Sequence, residues 1–357
     1  SSMRLLVTGG AGFIGSNLLH LLADQPEPQA IVNLDALTYS GNEKNLERVA
    51  QDPRYQFARI DLKDSKQVLE VVHSFQIDHV MHLAAESHVD RSINSPKPFL
   101  QTNVMGTFHL LEACRTVWGS DVIGKRFLHV STDEVYGSLG DTGTFTEESR
   151  YLPNSPYAAS KAASDLVVRS YGKTFGLPIV TTHCSNNYGP YQFPEKLIPL
   201  IILKAMQSQP LPVYGTGKNV RDWIHVEDHS RALWRVLLEG KLGETYNIGG
   251  NQESTNIDLV RRICRLLDEF HPESVPDSNR SEGHEQLIHF VKDRPGHDFR
   301  YAIANNKISD TLGWQPQHNL ATGLKQTVRW YLDHREWWTD ILNTRYDLKR
   351  LGIESNP

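Results

Sequence analysis

The sequence predicts an α/β protein: a doubly wound parallel sheet with a smaller, loop-rich C-terminal domain. Three observations carry this. Short apolar runs alternate with stretches of helical periodicity from residue 4 to about 186. A glycine-rich turn joins the first run to the first helical stretch. Beyond residue 186 the texture changes to segments rich in Pro, Gly, aromatics and Arg.

In chain order the apolar runs are RLLVTGG, AIVNLD, YQFARIDL, HVMHLAA, RFLHVST and PIVTTHCSN, six short strands. Between them GSNLLHLLADQ and NVMGTFHLLEACRTVW repeat apolar residues at helical spacing. Regular alternation of this kind implies parallel strands covered by helices on both faces. Residues 3–186 are therefore read as a first domain. The segments 187–221 and 254–357 are read as a second that caps the carboxyl edge of the sheet. The stretch of about 222–253, with IHVEDHSRALWRVLLEG and ETYNIGG, could return to the first domain.

The bulk numbers exclude several classes. A net charge of −5 gives no concentrated basic face for nucleic acid. No apolar run reaches the ~20 residues of a membrane span, and no signal peptide opens the chain. Cys114, Cys184 and Cys264 are widely separated and odd in number, with neither disulfide nor zinc spacing, so a cytoplasmic protein is expected. His225 and His229 in HVEDH are four apart, but Glu227 falls one place late for a helical zinc motif, so no metal is expected.

The turn VTGGAGFIGS holds Gly9, Gly12 and Gly15 at three-residue spacing, and Gly10, Gly12 and Gly15 also fit G-x-G-x-x-G. Glycine is needed where backbone must turn sharply and approach a pyrophosphate, and the helix start behind it offers free N–H groups. Asp35 ends the second strand twenty residues after Gly15. A carboxylate there accepts from a ribose hydroxyl and repels a 2′-phosphate. Together these predict a Rossmann-type sheet with NAD as cofactor.

Two further patterns concern proton transfer. In SPYAASKAASD, Tyr157 and Lys161 lie one helical turn apart on one face. A lysine ammonium and a nicotinamide cation together favour a phenolate, which can take a proton from an alcohol. In RFLHVSTDEVYG, the adjacent acids Asp133 and Glu134 follow a strand, at the edge where such sheets bind ligands. A plain solvent-facing turn explains them as well as a paired proton donor and acceptor does, until neighbours are known.

At these residues the chain resembles the extended short-chain dehydrogenase/reductases, which act mainly on nucleotide sugars. The resemblance covers nearly the whole chain. It narrows to the family's 4,6-dehydratases at STDEVYG, LAAESHVDRSI, CSNNYGPYQFPEKLIP, RDWIHVEDH, ETYNIGG and DRPGHDFRYAI. The family's epimerases carry small or hydroxyl residues where this chain has the acid pair. The resemblance implies a lyase acting on dTDP-glucose with bound NAD. Tyr157 would be the base for oxidation at C4, assisted by Lys161, and Thr132 would bond the sugar near C4. Glu134 would remove the C5 proton and Asp133 would protonate the departing C6 hydroxyl. Implied cofactor contacts are Gly9, Gly12, Phe13, Ile14, Gly15, Asp35, Ala36, Leu37, Thr38, Asp61, Leu62, Leu83, Ala84, Ala85, Ser87, Thr102, Tyr157, Lys161 and Asn187. Implied substrate contacts are Ser87, Thr132, Asn186, Lys196, Leu197, Pro212, Val213, Tyr214, Arg221, Asn256, Asp293, Arg294, Pro295, Gly296 and His297. The arginines suit a nucleotide diphosphate, because guanidinium meets phosphate in a bidentate fork.

A homodimer paired through helices that include the Tyr157 helix is also implied. The chain departs from the pattern at Ala304, where the family commonly has an acid, and in a shorter stretch between Asp133 and Tyr157. Two alternatives stay open: a dehydratase or epimerase for another nucleotide sugar, and a non-enzymatic NAD sensor.

Overall fold

The computed structural model describes residues 2–37, 42–85 and 93–344. All six predicted strands are present: β1 (Met3–Thr8), β2 (Pro28–Leu34), β3 (Tyr55–Ala58), β4 (His79–His82), β5 (Arg126–Thr132) and β6 (Ile179–Cys184). With β10 (Thr245–Ile248) they form one sheet in the order β10-β6-β5-β4-β1-β2-β3, with every neighbouring pair parallel. The order reverses between β1 and β4, the switch point beside which such sheets bind ligands. In register, Thr8 stands opposite His82 and Thr132 opposite Cys184, so the residues that follow share one edge.

Helix α1 (Phe13–Ala23) buries Leu18, Leu19 and Leu22 on one face of the sheet with α2 (Val226–Glu239). On the other face, α3 (Thr107–Trp118) and α4 (Pro156–Phe175) bury Leu110, Leu111, Val168 and Tyr171. The strands are apolar in both directions because both faces are covered. Strand β10 (Thr245–Ile248) extends this sheet beside β6, and α2 packs on it.

A separate three-stranded sheet joins β7 (Asn186–Tyr188), β9 (Val220–His225) and β11 (Glu253–Thr255). A two-stranded sheet joins β8 (Leu211–Tyr214) to β12 (Ile288–Val291). Their core gathers Trp223, Leu259, Ile263, Tyr331 and Trp337. One crossing matters for function. The segment after the acid pair bridges the C-terminal region at Leu139–Arg300 and Phe145–Ile303. Tyr136, Phe145 and Tyr301 thereby share a small core.

Candidate active site

A cavity of about 400 Å³ opens along the carboxyl edge of the sheet, from the glycine turn to the Tyr157 helix. Gly9 sits at φ +74, and a Cβ on it would lie 2.8 Å from the Ala84 backbone at the end of β4. A Cβ on Gly15 would lie 2.1 Å from the Gly9 carbonyl oxygen. Gly12 differs: a Cβ there would meet only that oxygen, at 3.4 Å, and would otherwise fill the cavity. Gly12 also starts α1 without a side-chain cap, so the first-turn N–H groups, which lack intrahelical partners, are available to an anion. These residues fit a dinucleotide pyrophosphate. We expect Gly15→Ala to cost about 1–3 kcal/mol by overpacking against backbone, seen as a lower Tm, and to weaken NAD affinity in a direct titration.

Asp35, buried at the end of β2, accepts from Ala11 N (2.9 Å) and Leu37 N (2.8 Å), which aims it along the cavity wall. The opposite wall is fixed by a hydrogen-bond chain. Thr8 Oγ1 accepts from Leu83 N and Ala84 N, both at 3.1 Å, so its own proton goes to His82 Nδ1 (2.7 Å). His82, kept neutral by burial, then donates from Nε2 to Thr107 (2.8 Å), which donates to Asn103 O.

Helix α4 begins Ser-Pro: Ser155 caps Ala158 N at 3.1 Å and Pro156 occupies the first turn. This start delivers Tyr157 and Lys161, both buried, to the cavity one turn apart. Lys161 Nζ donates to Val130 O (3.1 Å). Burial pulls its pKa down, and Asp165 pushes it back up. Tyr157 is pushed well up, first by burial and then by the charges of Glu134, Cys184, Asp165 and Asp133. The lysine alone therefore does not produce the phenolate expected from the sequence. A further positive charge at the ring is required.

Thr132 ends β5 and accepts from Glu134 N (3.3 Å), opening a short 3₁₀ turn that carries both acids. The turn is not solvated. Asp133 is 1% exposed and its Oδ2 is buried without a partner. Burial, then Glu134 and Asp222, push its carboxyl well up, with Arg221 opposing and Asp298 adding to the rise. Glu134 is also raised by burial, but Arg294, Arg221 and Lys196 all oppose the rise. Arg221 and Asp298 act on both carboxyls, but Asp222 adds to the rise at Asp133 while Arg294 and Lys196 oppose it at Glu134, so the rise is larger at Asp133 and favours a retained proton there.

Of the residues implied by resemblance, Gly9, Gly12, Phe13, Ile14, Gly15, Asp35, Ala36, Asp61, Leu62, Leu83, Ala84, Ala85, Thr102, Thr132, Glu134, Tyr157, Lys161, Asn186, Asn187, Lys196 and Leu197 line this cavity. Thr38 and Ser87 lie outside the described residues. Leu37 does not line it; its side chain packs on the core and its N–H is taken by Asp35. Val213 is buried in the core of the second domain, so its side chain is closed to a ligand. Pro212 sits beside it on β8, and Asn256 opens the helix that follows β11. Tyr214, Asp293, Arg294, Pro295, Gly296 and His297 gather in a second cluster. There His297 Nδ1 meets Asp293 at 2.6 Å and the Tyr214 ring at 5.8 Å between centroids. Arg221 bridges the two groups: its guanidinium donates to Val220 O and Asp298 O, lies 4.3 Å from the Tyr301 ring, and acts on both Glu134 and His297.

Sequence reasoning missed Ser131, Cys184, Ser185, Gln192, Glu195 and Trp223 on the cavity wall. Ser131, Ser185 and Glu195 each adjoin a residue it did find, whereas Cys184, Gln192 and Trp223 have no such neighbour in the chain. The HVEDH histidines have structural duties. His229, held neutral at a pKa of about 3 by burial, bonds Asn187 Oδ1 (2.9 Å). His225, Glu227 and His318 bring ligand atoms within 4.8 Å of one another. However, His225 Nδ1 accepts from Glu227 N, which leaves its proton on Nε2, and the two rings stack at 11°, so their lone pairs do not converge. Ser274, His284 and Asp268 align like a hydrolytic triad, at 2.6 Å per contact. Ser274 and His284 are both buried, so this is a staple and not a nucleophile.

Fold and site together define an extended short-chain dehydrogenase/reductase in which an acid pair has been added to the Tyr–Lys machinery. A family model described as GDP-mannose 4,6 dehydratase matches residues 6–327, and the chain belongs to that family. It is 54% identical to a dTDP-glucose 4,6-dehydratase of Neisseria meningitidis serogroup B, over 98% of this chain and 99% of that one. Among solved structures, it resembles DesIV, a dTDP-glucose 4,6-dehydratase from Streptomyces venezuelae with NAD and TYD bound (TM-score 0.86, 45% identity, 95% and 100% coverage). The UDP-glucose 4-epimerase of Thermotoga maritima is more distant, at TM-score 0.81 and 25% identity, with 93% and 99% coverage.

Proposed function

We propose that this protein is a hydro-lyase that converts dTDP-glucose to dTDP-4-keto-6-deoxyglucose. The observation that carries the reading is the buried acid pair near Tyr157: Glu134 lines the cavity with Tyr157 and Lys161, while Asp133, outside that lining, is the more strongly raised of the two. Gly9, Gly12, Gly15 and Asp35 would hold NAD, which when bound accepts hydrogen as hydride from C4 and delivers it to C6. Tyr157 takes the proton of the C4 hydroxyl, and Thr132 orients the sugar there. A ketone at C4 acidifies the C5 hydrogen, which Glu134 removes; Arg294, Arg221 and Lys196 oppose the rise in its pKa that burial imposes. Asp133, kept protonated, gives its proton to the C6 hydroxyl, which leaves as water. A lone turn of exposed acids would lack this division of labour. Arg221 and Arg294 would receive the diphosphate. The 3–186 region with β10 and α2 would form the cofactor domain, and the two small sheets with their helices the substrate domain.

The dimer implied by resemblance fits the apolar side chains of Leu100, Met105 and Leu166, exposed around α4 and the helical turns packed on it. A cytoplasmic home fits three buried free thiols. Among the described residues no helix is long and apolar enough to cross a membrane.

The test uses purified protein and dTDP-glucose deuterated at C4. We expect the product to be lighter by one water, with the deuterium now on C6. Unchanged substrate, even with NAD supplied, would refute the reading. Conversion to a C4 epimer would favour the epimerase alternative.

A further inference from the structure

Behind Lys161, one turn further along α4, lies a carboxylate that the mechanism above does not use. Asp165 is 4% exposed and continues the line of Tyr157 and Lys161 on one helix face. Four groups from three elements converge on it. From β5 come His129 Nε2 (2.8 Å) and Ser131 Oγ (2.8 Å), two residues apart on one side of the strand. From β6 comes His183 Nε2 (3.1 Å), and from the loop before α4 comes the Tyr151 hydroxyl (3.0 Å). Burial pushes this carboxyl up, but the hydrogen bonds and charge of His129 and His183 outweigh it and hold it well below the usual range, so it is ionised throughout the working pH.

A buried charge supported so heavily is costly unless it acts on something. Its cationic neighbour along the helix is Lys161, whose only hydrogen bond to backbone goes to Val130 O, and which burial drives toward the neutral form. A neutral lysine could not assist Tyr157. We propose that Asp165 is a positioning residue that keeps Lys161 charged and thereby sets the pH range in which Tyr157 can take the C4 proton. This rests on the reading of the Tyr157–Lys161 pair given above.

The signs follow from the groups that face each site. Lys161 faces Asp165, Cys184, His82 and His129. Tyr157 faces Glu134, Cys184, Asp165 and Asp133. Asp165 faces His129, Ser131, His183, Tyr151 and Lys161. Its negative charge raises the pKa of both Lys161 and Tyr157. Removing it lowers both, so the acid limb and the alkaline limb of the oxidation step move to lower pH together. A merely structural residue would change the rate and leave the limbs in place.

The experiment isolates that step with dTDP-6-deoxyglucose, which has no C6 hydroxyl to lose, and follows C4 oxidation by absorbance at 340 nm in the NAD-loaded full chain across pH. For Asp165→Asn we expect the alkaline limb, set by Lys161 one turn away, to shift down by about one unit, the lower end of the effect of a charge at short range, and the acid limb, set by Tyr157 two turns away, to shift down by less. Tyr151→Phe removes one donor, leaves the carboxylate less neutralised and should move both limbs slightly upward. This second variant retains the ring and serves if Asp165→Asn does not fold. Limbs that coincide with wild type in either folded variant overturn the inference while leaving the proposed function intact. A wild-type protein that does not oxidise this analogue overturns both.

Discussion

Glu134→Gln is expected to slow product formation by roughly 10²–10⁴-fold, the usual contribution of a positioned acid or base, while oxidation at C4 continues. The substitution is nearly isosteric and the turn that carries residue 134 is held by Thr132 Oγ1 and by Leu152 N bonding Val135 O (3.0 Å), so the fold should survive. What disappears is the carboxylate proposed to accept the C5 proton, where Arg294, Arg221 and Lys196 oppose the effect of burial. Two readouts check this. Quenched reactions should contain a 4-keto nucleotide sugar that still carries its C6 hydroxyl. In D₂O, wild type should place deuterium at C5 and the variant should not. Normal C5 exchange by Glu134→Gln would reassign the base. The variant also tests the pairing. After burial, the Glu134 charge does most to raise Asp133, so its removal should let Asp133 ionise at lower pH and bring residual activity down at a less alkaline pH.

Much of this site was legible in the chain because its signals are local. The glycine turn, Asp35 at the second strand's end and the four-residue spacing of Tyr157 and Lys161 are each set by one element and its immediate continuation. What was not legible depends on elements far apart in sequence. The neighbours that differ between the acids are Asp222 at Asp133 and Arg294 and Lys196 at Glu134, all roughly 60 to 160 residues downstream in the chain. Asp165 reads as one more polar helix residue until His129 and His183, from separate strands, are seen to meet it. Spacing reveals the lysine beside Tyr157 but not the burial and the acidic neighbours that raise the phenol, which only the folded chain shows. Val213 was assigned to a ligand from motif position, although its strand turns that side chain into a core.

Tyr157→Phe is expected to reduce the rate constant for C4 oxidation by roughly 10²–10⁴-fold with little change in the substrate KM. The phenyl ring fills the same buried space against Phe99, 6.3 Å away between centroids, so packing and substrate binding are retained and only the proton acceptor is lost. The deficit should appear in both the overall reaction and the C5 exchange in D₂O, because no ketone forms to acidify that hydrogen. This distinguishes it from Glu134→Gln, which blocks only the later step. The pH behaviour provides a second check. In wild type the acid limb of oxidation reports the phenol's deprotonation, and since burial and the Glu134 charge raise that pKa, the limb should lie toward the alkaline side until the cofactor's positive ring opposes them. In Tyr157→Phe that limb should vanish, since phenylalanine has nothing to ionise. An intact limb in the variant would show that another group, with Lys161 the nearest candidate, takes the C4 proton.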